Sequence, residues 1–184
     1  AQVARRYMKT FERARAERRY FAQADFAVKA LDKRTGELPP LKLDHLRHLT
    51  DDTGIFQHAI FTTPNYSEGY TTDDNARALM VSVLLEELGI KGATELATRY
   101  LAFTWHAFNE KTKRFRNFMD YQRNWLEESG SDDSHGRALW SLGVVLGHST
   151  TPTLHSMAGR MFQQSLLSIL ETTSPRAWAF ALIG

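Results

Sequence analysis

Apolar positions along this chain recur at the three- and four-residue spacing of an amphipathic helix and almost nowhere alternate with a period of two. The pattern predicts an all-α protein. A first helix is expected over 2–33, with Val3, Tyr7, Phe11 and Ala14 on one packing stripe, ending before Thr35-Gly36-Glu37-Leu38-Pro39-Pro40. A short helix holding Leu41, Leu43, Leu46 and Leu49 should follow and end at Asp51-Asp52-Thr53-Gly54. Thr71-Thr72-Asp73-Asp74 supplies a cap and first-turn acids, and Gly89 a stop, which brackets a helix over 73–88. Its near-continuous apolar residues, Leu79, Val83 and Leu84 among them, predict burial on most sides. A partner is expected over about 92–109, with Leu96, Tyr100, Phe103 and Ala107 on one face. Further helices are expected over 132–147, about 152–171 and from 175 onward. Thr151-Pro152 and Ser174-Pro175 each put a capping hydroxyl before a proline at the first helical position. Between the helices lie two aperiodic loops, 55–71 and 110–131, whose aromatic content (Phe56, Tyr66 and Tyr70; Phe115, Phe118, Tyr121 and Trp125) points to function rather than disorder.

The helical pattern repeats. Thr72 to Leu79 aligns without gaps to Asp132 to Leu139, with identity at Asp73/Asp133, Arg77/Arg137, Ala78/Ala138 and Leu79/Leu139, and Arg176-Ala177-Trp178 is a weaker echo. A recurring unit of buried helix, partner helix and aromatic loop is the signature of helical hairpins in array, with an inner row sheathed by an outer one. The apolar end Ala179-Phe180-Ala181-Leu182-Ile183-Gly184 lacks a polar cap. It predicts either a fragment or a partner covering that end, and a second copy in that role would make a dimer.

Composition narrows the chemistry. With 184 residues and no cysteine, thiol nucleophiles, Cys-ligated zinc and disulfides are excluded, and a reducing, cytoplasmic location is expected. No run approaches the ~20 apolar residues of a membrane span, and the N-terminus does not resemble a signal peptide. The net charge of +2 is unevenly spread: residues 1–37 sum to +5 and the rest to −3. The leading segment reads as a solvated connector helix ahead of a domain over 38–184, and with Tyr7 and Phe11 assigned to its packing stripe it is not expected to bind nucleic acid. His45-x-x-His48 lacks a third ligand in register, and no phosphate-binding loop or nucleophile elbow occurs, so no metal or cofactor is expected.

The candidate chemistry sits in the repeated motif. Asp73 with Arg77, and Asp133 with Arg137, are spaced to pair within one helix, where they would either lock a hairpin or orient a site. Aromatic rings beside carboxylates suit sugars, because rings take the apolar faces of pyranoses while polar groups bond the hydroxyls. Tyr66, Glu68, Tyr70, Trp105, Trp125 and Trp140 are candidates for such surfaces, and Asp73, Asp74, Asp132, Asp133 and Glu68 for the two carboxylates of glycosidic hydrolysis.

The segments Asp51 to His58, Gly69 to Leu79 and Ser131 to Trp140 together resemble the six-hairpin, or (α/α)6-toroid, carbohydrate-active proteins. More narrowly, they are similar to the helical domain found C-terminal to bacterial group 1 glycosyltransferase domains or encoded beside them. The resemblance covers about residues 40–184. It implies a toroid that is incomplete here, with about six helices past residue 40 where twelve form a full ring. It also implies a carbohydrate ligand, a glycosyltransferase catalytic domain as partner, and a funnel at the inner-helix N-termini. On this reading Asp73, Asp74, Asp133 and His135 are the expected catalytic groups, and Tyr66, Glu68, Tyr70, Arg77, Arg137 and Trp140 the expected substrate-binding groups. The alternative is a non-enzymatic scaffold or glycan-binding module.

Overall fold

A computed structural model describes residues 2–21 and 41–184. The chain divides into two compact units, residues 1–41 and 42–184. In the first, α1 (Gln2–Phe21) carries Tyr7 and Phe11 on one face, their ring centroids 6.4 Å apart, but both rings and Ala14 are exposed rather than packed. The remainder of the helix expected to residue 33, and the side chain of Val3, lie outside the described residues.

The second unit is mostly helical. It contains α2 (Asp44–His48), α3 (Thr72–Glu87), α4 (Ala93–Ala107), α5 (Asp132–His148), α6 (Pro152–Ser165) and α7 (Pro175–Ile183). α2 is shorter than its leucine pattern suggests, and of those leucines only Leu49 is buried. The helix expected over 152–171 tightens to 3-10 geometry at Leu166 and continues so to Glu171. Thr151 does not cap α6 through its side chain. Its hydroxyl instead donates to Glu86 Oε1 at the end of α3 (2.5 Å).

The two aromatic loops are not purely irregular. With the last two residues of the helix expected over about 92–109, they hold three two-stranded antiparallel ladders: β1 (Ala59–Ile60) with β2 (Thr63–Pro64), β3 (Tyr70–Thr71) with β6 (Phe118–Met119), and β4 (Phe108–Asn109) with β5 (Arg114–Phe115). Strands of two residues are too short to show alternation, so the expectation of helices alone missed them. The β3–β6 ladder matters most, since it joins the loop before α3 to the loop before α5. Gly69 makes that approach possible: it sits at φ 62°, and a Cβ there would lie 2.2 Å from the Met119 carbonyl oxygen.

Helices α3, α5 and α7 pack side by side as one row, α4 backs α3, and α6 backs α5 and touches α4. Leu79, Val83, Tyr100, Leu101, Ala138, Leu142, Val145 and Ala158 form the core between the two layers. α3 is buried on most sides, with one edge exposed at Val81 and Leu84. α5 and α7 meet closely at Gly136, where a Cβ would lie 2.7 Å from the Ala177 carbonyl oxygen and 2.8 Å from its Cα. No helix among the described residues is long and apolar enough to cross a membrane.

The third position after each repeated motif opens faces inward. Asn75 is fully buried at the base of α3, where its Oδ1 accepts from Ile55 N (3.0 Å) and its Nδ2 donates to the carbonyls of Ile55 (3.3 Å) and Thr71 (2.8 Å). One side chain therefore ties the 51–58 loop to the start of the helix. Asn75→Ala strands these groups, and a buried polar group left unpaired costs about 1–3 kcal/mol. Urea unfolding should show a loss of about 2 kcal/mol. A loss within the noise of the measurement would mean that the loop is held by other contacts.

Candidate functional site

Three helix N-termini reach the same end of the row, and each is capped by a hydroxyl from its own loop. Thr71 Oγ1 accepts from Asp74 N (3.1 Å) and its hydroxyl donates back to Asp74 Oδ2 (2.6 Å), a reciprocal cap on α3. Asn117 adds to it, its Oδ1 accepting from Asp73 N (3.1 Å) and its carbonyl from Thr72 N (2.9 Å). Ser131 caps α5 by accepting from Ser134 N (3.2 Å), and Ser174 caps α7 by accepting from Ala177 N (3.3 Å). Side chains from these turns, with Gln57 and Phe118, line a cleft of about 340 Å³.

Within the cleft the carboxylates pair across helices. Asp73 binds Arg77 one turn on in its own helix (2.5 Å) and also Arg137 of α5. The contact with Arg137 Nε is an ion pair without an aligned hydrogen bond, and the Arg137 guanidinium lies over the Phe180 ring, 4.4 Å from its centroid. The expected Asp133–Arg137 pair within α5 does not form. Asp133 instead accepts from the Ser174 hydroxyl (2.8 Å) and pairs with Arg176, both at the start of α7. The acid of one motif thus takes the arginine of the next helix along the row, and the Arg176 echo is part of the same series. Asp74 is held by Thr71 and by Arg77 (3.4 Å).

Asp132 does a separate job beside the cleft. It accepts from Arg114 (2.8 Å) and from Thr173 N (3.0 Å), fastening α5 to β5 and to the approach to α7. The Arg114 guanidinium first, and the Thr173 amide second, hold its carboxyl below the usual carboxylate range.

Several expected site residues lie elsewhere. His135 is fully buried, with its Nε2 2.9 Å from Ser168 Oγ, its ring 5.6 Å from Phe115, and its Nδ1 without a hydrogen-bond partner among the described residues. Burial holds its pKa down to about 4, so it is a neutral core side chain rather than a cleft group. Tyr70 is buried as well, and its hydroxyl donates to Asp51 Oδ2 (2.5 Å). Burial chiefly, and that bond next, push the phenol far above its ordinary value. Trp140 stacks on Phe180 at 5.5 Å, and Trp125 packs edge-on against Phe103 at 5.7 Å. Trp105 lines a different cavity of about 500 Å³, together with α6 residues such as Met157 and Arg160. Glu68 is exposed on the 3-10 turn Tyr66–Glu68, outside the cleft lining, and Tyr66 stacks on Tyr121.

The structure therefore brings together Asp73, Asp74, Asp133, Arg77 and Arg137, and it adds Gln57, Asn117, Phe118 and Arg176. Among these additions the sequence signals Arg176 through the weaker echo and Phe118 through the aromatic content of its loop. Among the described residues no three His, Asp or Glu side chains are grouped to hold a metal ion. No family model matches this chain, and no curated protein matches it in sequence.

Proposed function

We propose that this chain is a carbohydrate-binding helical domain, a segment of an (α/α) toroid serving a glycosyltransferase or another glycan-processing system, with its sugar site at the N-termini of α3, α5 and α7. The observation that carries this reading is the make-up of the cleft. Three carboxylates (Asp73, Asp74, Asp133) face three guanidiniums (Arg77, Arg137, Arg176), so the charges cancel while donors and acceptors remain on both. Gln57 and the Asn117 Nδ2 add polar groups that have no partner among the described residues, and the Phe118 ring offers an exposed face. A neutral polyol can use hydrogen bonds of both kinds without bringing charge into the site, whereas a uronate or phosphorylated sugar would meet a carboxylate beside every guanidinium.

The same geometry favours binding over turnover. A general acid has to present a proton to the leaving oxygen, and a nucleophilic or basic carboxylate has to reach the reacting carbon or its water. Asp73 and Asp133 are each held by guanidiniums, and Asp74 by Thr71 and Arg77. That engagement also supports a second reading, an architectural brace with no ligand.

Calorimetric titration with glucose, mannose, galactose and their disaccharides, against glucuronate, separates the two. The binding reading expects heat with a neutral sugar and at least fivefold weaker binding of glucuronate. Gln57→Ala should weaken binding without shifting the melting temperature. Silence with every sugar leaves the brace.

A further inference from the structure

We infer that the ligand is a chain of sugars rather than a single one, and that a unit beyond the first two stacks on an outer face of the Tyr66–Tyr121 ring pair beside the cleft. The inference rests on the carbohydrate reading of the cleft. Tyr66 comes from the loop that feeds α3 and Tyr121 from the loop that feeds α5, so two successive repeats each contribute one ring. The centroids are 4.7 Å apart and the planes within 4° of parallel. Beneath them Phe56 contacts both rings, at 4.9 Å and 5.9 Å, and itself stacks at 4.7 Å on the buried Tyr70.

Rings gathered for packing alone tend to be covered and to find partners for their hydroxyls. Tyr66 and Tyr121 are half-exposed, and their hydroxyls make no hydrogen bond among the described residues. The polar equipment expected next to a stacking face is present too. Arg123, two residues after Tyr121, donates to both carboxylate oxygens of Asp52 (2.8 and 2.9 Å), an exposed and charge-balanced pair like those of the cleft. Arg123 holds a left-handed backbone, φ 68°, unfavourable for a residue with a Cβ. Asp120 keeps the turn in place by accepting from Asn124 N with its side chain (2.8 Å) and from Arg123 N with its carbonyl (3.0 Å).

Two short stretches of chain link the platform to the cleft. Phe118 lines the cleft and Tyr121 is three residues further on, so their Cα atoms are at most roughly 11 Å apart. Gln57 lines the cleft while its neighbour Phe56 supports the platform. That span is within the reach of an oligosaccharide whose first units occupy the cleft.

The test uses the full chain with glucose and mannose, the disaccharides cellobiose, maltose and mannobiose, and the hexasaccharides cellohexaose, maltohexaose and mannohexaose. Binding is followed by calorimetry and by amide shifts. At least one hexasaccharide should bind roughly tenfold more tightly than its disaccharide. Tyr121→Ala and Tyr66→Ala should abolish that gain and leave the shorter sugar's affinity unchanged. Tyr121→Phe, which keeps the ring, should retain most of it, and this variant guards against an effect of misfolding. If shifts appear at Asp73 and Asp133 but chain length adds nothing, or the alanine variants behave as wild type, the platform is refuted while the cleft reading stands. Shifts at the tyrosines without shifts in the cleft refute the continuity on which the inference depends. No shift with any of these sugars removes both.

Discussion

Asp73→Ala is expected to destabilise the protein by about 2–3 kcal/mol, whereas Arg77→Ala, which removes the partner in the same helix, costs under about 1 kcal/mol. The difference comes from Arg137. Its side chain is 15% exposed and reaches from α5 to Asp73 on α3, so deleting the carboxylate leaves a largely desolvated guanidinium without its counter-charge. Breaking a buried pair in this way costs about 3–5 kcal/mol, and the 23% exposure of Asp73 trims it. Arg77 is 51% exposed and returns to water when its pair is lost. Replacing Arg137 with methionine in the Asp73→Ala background removes the stranded charge and should recover part of the loss. Urea unfolding of wild type, Asp73→Ala, Arg137→Met and the double variant forms a double-mutant cycle. Equal costs for Asp73→Ala and Arg77→Ala would mean that the cross-helix pair is not what couples α3 to α5.

The second large effect is a loss of stability on mild acidification, set by His135. Its folded pKa is depressed to about 4 by burial, against about 6.5 for the unfolded chain. Between those values the unfolded chain binds a proton that the folded one does not, so stability rises with pH across the window and falls on acidification. It should fall by up to about 1.4 kcal/mol per pH unit, close to 3 kcal/mol between pH 6.5 and 4. Above pH 6.5 this group contributes no slope. Asp132, held low by Arg114, loses its own contribution only below the usual carboxylate range, and the other six histidines are exposed. Thermal melts across pH 4–7 for wild type and His135→Gln should therefore diverge: the variant keeps hydrogen-bonding capacity toward Ser168 and loses the slope. A slope unchanged in the variant would place the titrating group elsewhere.

The sequence and the structure agree best where local chemistry decides. The starts of α3, α5 and α7 were legible because Thr71, Ser131 and Ser174 are capping residues followed by acids or proline, and the observed bounds fall within a residue of those expected. The buried face of α4 was equally plain in its spacing. What depends on neighbours was not legible. Arg137 lies four residues from Asp133, which predicts a pair within α5, yet the first turn of a helix in a packed row also faces the helices beside it. There Ser174 and Arg176 claim Asp133, and Asp73 claims Arg137. His135 is a site residue only by the resemblance, which says nothing of its burial. Its counterpart in the first repeat, Asn75, is buried in the same way. Asn117 and Gln57 carried no signal, because short ladders and loop paths place them.

On the function we propose, a neutral sugar occupies the charge-balanced cleft at the N-termini of α3, α5 and α7. The most direct test is an amide-resolved NMR titration of the whole protein with a neutral oligosaccharide. We expect saturable shifts at Thr71, Asp73, Asn117, Ser131, Asp133 and Arg176, on three helix starts at once, with the α4–α6 cavity around Trp105 and Met157 unmoved. Shifts absent from those helix starts, or centred on the Trp105 cavity, would contradict it.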